Sequence, residues 1–157
     1  GPAVDVMRQL KLALDPTKSL TAPKREDPVP HIAFADLHNA MEILKVSVGD
    51  YQQALDRLDR QALNRNERDK LSRLIYQSER KLTRDQGLPR RPWYKHYIYA
   101  PGFYTGYGVK TLPGIREAIE ERKWQEADEQ VRITAGVLKG FASQIDKATQ
   151  LIGKQTK

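Results

Sequence analysis

The sequence predicts an all-α fold: a four-helix-bundle-like domain with a long Gly/Pro/aromatic-rich loop between its third and last helices. Two long segments predict the helices, because their apolar residues alternate at spacings of three and four, the period of a helix that buries one stripe. A third observation places the loop, since five of the ten glycines and four of the nine prolines fall within residues 83–114. Proline lacks an amide donor and glycine is entropically costly in a helix, so this segment cannot be continuous helix.

Composition excludes several classes of protein. At 157 residues the chain is long enough for one domain with a real core. It contains no cysteine, which excludes disulfides, thiolate nucleophiles and cysteine-ligated zinc. No stretch approaches the roughly 18–20 apolar residues of a membrane span, and no signal peptide is visible. The sequence leaves the compartment open.

The first thirty residues are expected to differ from the rest. Gly1-Pro2 resembles the remnant of a cleaved affinity tag. Residues 3–14 have the apolar spacing of a short amphipathic helix, and four prolines within residues 15–30 predict an extended linker. We therefore expect residues 1–30 to form an N-terminal helix and Pro-rich linker, and residues 31–157 to form the helical domain.

The long helices carry matched apolar seams. The first seam comprises Phe34, Leu37, Met41, Leu44, Val48, Tyr51, Leu55, Leu58 and Ala62, with Ile43 and Val46 as a second flank. The last helix repeats the pattern in Trp124, Ala127, Val131, Thr134, Leu138, Phe141, Ile145, Ala148 and Ile152.

Two further helices are predicted between these. Asn64 and Glu67 have the spacing of a capping box, which marks the start of the third helix, ending near Arg84. A short helix is expected to begin at Thr111-Leu112-Pro113-Gly114, because proline is tolerated in a first turn.

The loop concentrates the aromatic residues. Seven of the twelve fall within residues 93–107. Such loops either pack on the domain or bind a ligand, and we expect both: Trp93, Tyr97 and Phe103 pack, while Tyr104 and Tyr107 stay accessible to a polar ligand group. Residues 97–99 are β-prone, but one short run is not expected to form a sheet.

The positive charge has two interpretations. Residues 60–95 contain eleven Lys/Arg against four Asp/Glu, which equals the net charge of +7 of the whole chain. This stretch is either a patch for phosphate or another anionic surface, or a solvated helix face with ion pairs.

No catalytic constellation is evident. His38 and Glu42 lie four residues apart and could face a metal, but no second ligand pair accompanies them, so exposed polar residues are the simpler interpretation. The sequence has no HExxH, GxGxxG, P-loop or GxSxG motif. We expect no enzyme activity, no catalytic residue and no metal site in this chain alone.

One string is specific enough to suggest a family. Leu88-Pro-Arg-Arg-Pro-Trp-Tyr-Lys-His-Tyr-Ile-Tyr-Ala-Pro101 is followed by Thr105-Gly-Tyr-Gly108 and Leu112-Pro-Gly-Ile115. It resembles the transferrin receptor-like dimerisation domain, the C-terminal helical part of the glutamate carboxypeptidase II branch of the M28 zinc metallopeptidases. The resemblance covers residues 34–152.

The resemblance implies a helical domain that forms a homodimer across a twofold axis. The zinc ligands and general base of such peptidases lie in a separate protease domain, so zinc is expected there and no cofactor in this chain. The loop at 102–111 would contact the substrate's C-terminal side, with Tyr107 at the position of a carboxylate-binding tyrosine beside Tyr104 and Gly106. The preceding residues, Trp93, His96, Tyr99 and Pro101, would anchor that loop.

Two departures refine the resemblance. Gly106 stands where glutamate-specific members have a lysine, so a strict preference for glutamate is not expected. Val48-Gly49-Asp50 stands where the transferrin receptor has Arg-Gly-Asp, so the chain is similar to the peptidases and not to the receptor. In this interpretation the partners are a second copy and the parent's protease domain, with no nucleic acid and no membrane contact by this segment. The alternative is a helical polyanion- or nucleic-acid-binding or adaptor module that uses the basic stretch 60–95.

Overall fold

The computed structural model describes residues 26–58, 63–104 and 106–154. The predicted helix at 3–14 and Gly1-Pro2 lie outside these residues, as do Ala62 of the first seam and most of the predicted linker. Residues 26–30 have no regular secondary structure. Residues 31–157 form a compact unit.

The described residues are mostly helical, as predicted. Residues 26–58, 63–104 and 106–154 contain four α-helices: α1 (Ala35–Asp56), α2 (Arg65–Ser78), α3 (Pro113–Glu120) and α4 (Trp124–Gly153). A 3₁₀ helix, Glu79–Leu82, extends α2. The capping box at the start of α2 is confirmed. Asn64 Oδ1 accepts the amide of Glu67 at 3.0 Å, and the Glu67 carboxylate accepts the amide of Asn64 at 2.9 Å.

Helix α4 organises the domain. Within the described residues, α1, α2, α3 and the 3₁₀ helix all pack against α4. The main core cluster lies where α1 and α3 meet this helix, and a smaller one lies under the loop. The buried members of the main cluster are Leu37, Ala40, Ile115, Val131, Ala135 and Leu138.

The seam predicted on α1 is wrong in part. Met41 and Val48 are exposed, while Ala40 and Ser47 are buried together with Leu37. The buried stripe is rotated around the helix relative to the predicted seam. The reason is that α1 packs along α4, and the small side chains at 40 and 47 let the two backbones approach closely. The seam predicted on α4 is buried or half-buried along its length.

The expectation of no sheet is also wrong. Strand β1 (Tyr99–Pro101) pairs antiparallel with β2 (Val109–Thr111), with Ala100 opposite Lys110. The partner strand has no alternating apolar pattern, because its residues are exposed or half-buried. The hairpin forms within the predicted loop, and Phe103, Tyr104 and residues 106–108 between its strands are exposed.

A candidate functional site: the hairpin loop and its buried anchor

The segment before the hairpin folds back on itself through backbone hydrogen bonds. The amide of Leu88 donates to the carbonyl of Tyr94 at 2.8 Å. The hydroxyl of buried Tyr97 donates to the carbonyl of Gly87 at 2.6 Å. Gly87 has φ +66°, and a Cβ there would lie 2.2 Å from the Pro92 carbonyl oxygen, so only glycine fits this crossing.

A buried ion pair anchors the hairpin. Arg91 and Glu117 are 2% and 3% exposed, and one guanidinium nitrogen lies 2.7 and 2.8 Å from the two carboxylate oxygens of Glu117. Arg91 also donates to the carbonyl of Pro101, and Glu117 accepts the amide of Phe103 at 2.8 Å. The pair therefore ties the end of β1 and the start of the loop tip to α3. Sequence reasoning placed Arg91 in a basic surface stretch, because no local signal reveals a partner 26 positions away.

The loop tip carries the residues expected to meet a ligand. Tyr107 is fully exposed and Tyr104 is 73% exposed, while Gly106 has φ +58° with open space around its Cα. The ring of Phe103 meets that of Tyr104 edge to face at a centroid distance of 4.9 Å. Tyr104, Gly106 and Tyr107 follow Phe103, whose amide the Arg91–Glu117 pair holds at the base of the loop.

The residues expected to anchor the loop lie in different environments. Tyr97 is buried, but Trp93 is 70% exposed, contrary to the packing expected of it. His96 Nδ1 accepts the amides of Ile98 and Tyr99 at 3.2 Å each, and its ring stacks on that of Tyr99 at 3.9 Å. Burial lowers the pKa of His96 below its ordinary 6.5, against a smaller opposing effect of Glu79.

Tyr99 and Pro101 hold the strand that precedes the tip. The Tyr99 hydroxyl donates to Glu79 at 3.1 Å, and this hydrogen bond raises the pKa of the phenol. The carbonyl of Pro101 accepts from Arg91, as described above. Both residues thus connect β1 to neighbouring elements.

Ion pairs surround the base of the hairpin. Arg90 forms a bidentate pair with Glu126 at 2.9–3.0 Å, and Lys110 pairs with Glu120. The Lys110 ammonium, with a smaller effect of Arg116, holds the pKa of Glu120 below its ordinary value. Glu121 also has a lowered pKa, chiefly through its hydrogen bond with Lys123; Arg90 contributes next among the favourable interactions and the Tyr104 hydroxyl last. Arg90, Lys110 and Lys123, at the base of the hairpin, are therefore each paired with an acid.

The last part of the basic stretch 60–95 agrees with the second interpretation, in which the cations are paired with acids. Arg90, Arg91 and Lys95 are in ion pairs, with Lys95 lying 3.2 Å from Asp85. They serve the fold of the loop and leave little charge there for a polyanion. Lys70 and Arg73, on α2, have a different environment, described below.

The described part of the chain has neither a metal-binding cluster nor a membrane-spanning helix. Within residues 26–58, 63–104 and 106–154, no group of three or more His, Cys, Asp or Glu side chains is arranged to hold a metal ion. In the same ranges, none of the helices has the length and apolarity needed to cross a bilayer.

These features define a class: a helical domain that presents an exposed tyrosine-bearing hairpin on a buried ion pair. The chain belongs to the transferrin receptor-like dimerisation domain family, whose model matches residues 32–146. It is 41% identical over 64 residues to the probable glutamate carboxypeptidase LAMP1 of Arabidopsis thaliana, a match that covers 36% of this chain and 9% of that protein. It is 37% identical over 59 residues to a probable glutamate carboxypeptidase of Arthroderma benhamiae, covering 33% of this chain and 8% of the relative. The matches thus span less than a tenth of either relative.

Proposed function

We propose that this chain is the non-catalytic homodimerisation domain of an M28-type zinc carboxypeptidase or aminopeptidase. The match of the dimerisation-domain family over residues 32–146 carries the proposal. Two relatives named as probable glutamate carboxypeptidases support a peptidase parent. Catalysis and the zinc ion would belong to a protease domain elsewhere in that parent.

The surface that would self-associate is a flank of α1 beside its buried stripe. Met41 and Val48 lie on one flank and Ile43 and Val46 on the other, and all four are 46–62% exposed. An exposed apolar surface of this kind is typical of an interaction site. A twofold axis would place the same helix of a second copy against it, which is the isologous arrangement of most homodimers.

Analytical ultracentrifugation of the chain at micromolar concentration tests the surface. We expect a dimer for the unmodified chain, and a monomer with an unchanged far-UV spectrum when one flank is charged, as Ile43→Glu with Val46→Glu or as Met41→Glu with Val48→Glu. Gln53→Glu, an exposed change on the same helix, is the matched control and should remain dimeric. A dimer that withstands both double variants would contradict this choice of surface.

The hairpin would add a second role. We propose that loop 102–111 completes the substrate pocket of the protease domain, with the Tyr107 hydroxyl donating to the substrate's terminal carboxylate and Tyr104 beside it. Full exposure of Tyr107 on a firmly anchored hairpin supports this, because a fixed phenol can bind a carboxylate with little loss of entropy. The glycine at position 106 supplies no positive charge there to bind a glutamate side chain, so recognition would not require one.

Kinetics of the parent enzyme, with both domains present, test this role. Tyr107→Phe should raise the KM for peptide substrates by about tenfold, the value of one hydrogen bond to a charged group. The kcat should change little, since the phenol would bind ground state and transition state alike. Tyr76→Phe, which removes an exposed phenol from α2, is the control. An unchanged KM for Tyr107→Phe would contradict the role of the loop and leave the dimerisation role standing.

A further inference from the structure

A groove between α2 and the C-terminal part of α4 concentrates positive charge. It is lined by four cations, Lys70, Arg73, Lys147 and Lys154, over a partly apolar floor of Leu74 and Leu151, and encloses about 420 Å³. That volume is within the range of small-molecule sites.

Helical periodicity creates the groove. The lining positions on α2 are 70, 73, 74 and 77, and those on α4 are 147, 150, 151 and 154. Each set follows i, i+3, i+4, i+7, so each helix contributes one continuous face about 10 Å long. The Gln144 amide, which donates to the carbonyl of Leu74 at 3.2 Å, joins the two helices beside it.

Among the residues that the structure describes, the cations of the groove have no ion-pair partner. No ion pair joins any of the four to an acid within the described ranges, and no Asp or Glu is among the lining residues. Asp69 and Asp146 each adjoin a lining cation in sequence but lie outside the lining. The cations near the hairpin differ, because Arg90, Arg91 and Lys110 are all paired.

Clustered cations repel one another, and a bound anion would relieve that repulsion. Lys ammonium groups act as compact point charges that suit phosphate. Gln77 and Gln150, also in the lining, add neutral amide donors for phosphate oxygens. The groove is open to solvent and each lining face is only about 10 Å long, a length that matches a compact cluster of phosphates better than a long polymer.

We propose that this groove binds a compact ligand with clustered phosphates, either a free polyphosphorylated molecule or the headgroup of a phosphorylated lipid. The site is separate from the hairpin and from the apolar flanks of α1. It is therefore independent of the proposed peptidase role.

Calorimetric titration of the full 157-residue chain with inorganic tripolyphosphate at low salt tests the proposal. We expect saturable binding that weakens as salt is added, because exposed charges are screened. Lys147→Glu should weaken binding at least tenfold. Lys139→Glu, an exposed change of equal charge on the same helix outside the lining, should alter it less than twofold.

The proposal would be overturned if neither tripolyphosphate nor the lipid probe binds at low salt. Equal loss of binding in both variants would also overturn it, because it would indicate attraction by net charge alone. A hexaglutamate peptide that binds as tightly as tripolyphosphate would also overturn it, by showing no selectivity for phosphate.

Vesicles of phosphatidylcholine with 5% phosphatidylinositol bisphosphate distinguish a lipid headgroup from a free phosphorylated molecule as the ligand. Binding to these vesicles but not to free tripolyphosphate assigns the groove to lipid, and binding to tripolyphosphate assigns it to a free ligand.

Discussion

Single residues in this domain have effects that depend on distant partners. Arg91 illustrates this, because the sequence places it among surface cations while the structure buries it against Glu117. Periodicity reports which face of an element is buried, but a contact across 26 positions leaves no mark in local spacing. The exposed tyrosines of the tip were predictable, since they flank small residues in a segment that cannot be helical.

The buried pair gives the first prediction. Glu117→Ala should lower the free energy of unfolding by about 3–5 kcal/mol, because it leaves the Arg91 guanidinium buried without its counter-ion. It should also speed hydrogen exchange at the Phe103 amide, which loses its acceptor. Urea denaturation and exchange NMR measure the two effects. Glu42→Ala, which breaks the exposed pair with Lys45, should cost about 1 kcal/mol or less; equal costs for the two variants would refute the role of the buried pair.

A second residue prediction concerns pH. The native pKa of His96 is lowered by burial, whereas in the unfolded chain it is about 6.5. Between these two values the unfolded state binds more protons, so the free energy of unfolding should fall as pH drops below about 6.5. His96→Asn keeps an acceptor for the Ile98 and Tyr99 amides but does not titrate there.

Urea denaturation from pH 8 to pH 5 checks this dependence. The His96→Asn variant should show a flatter profile than the unmodified chain over that window. His38→Asn, on the exposed side of α1, should leave the profile unchanged. Identical slopes in all three proteins would count against His96 as the titrating group.

At the scale of elements, the helices were predictable and the orientation of one was not. Positions 37, 40, 44, 47 and 51 also alternate at three and four, so spacing alone could not separate this stripe from the predicted seam. Side-chain size favoured Met41 and Val48, whereas close packing on α4 selected Ala40 and Ser47. The hairpin was missed because its second strand has no apolar pattern.

Helix α2 gives the third prediction. It has no fully buried residue, so its stability depends more than usual on its capping box. Asn64→Ala should cost about 1 kcal/mol and reduce helix content, as measured by thermal melts followed by circular dichroism. Asn64→Ser, which retains a capping oxygen, should restore most of the loss. Equal melting temperatures for the two variants would contradict the importance of the cap.

For the whole molecule, shared packing on α4 predicts a single cooperative transition. Leu138→Ala should destabilise the domain by about 2–5 kcal/mol, because Leu138 belongs to the main core cluster. In a Trp124→Phe background, circular dichroism and the fluorescence of Trp93 should give coincident urea transitions, because the loop that carries Trp93 and the helices unfold together. Lys139→Ala, on the exposed side of the same helix, should change the stability by less than about 0.5 kcal/mol. Separate transitions for the two signals would show that the loop unfolds independently.

The order of elements along the chain bears on synthesis. Helix α4 is the last described element to leave the ribosome, yet α1, α2 and α3 all pack against it. Until residues 124–153 emerge, the apolar stripe of α1 lacks this partner, and a nascent chain with such exposed surface is prone to aggregate. The pairing of α1 with α4 also joins distant parts of the sequence, so this helical domain should fold more slowly than bundles built from neighbouring helices.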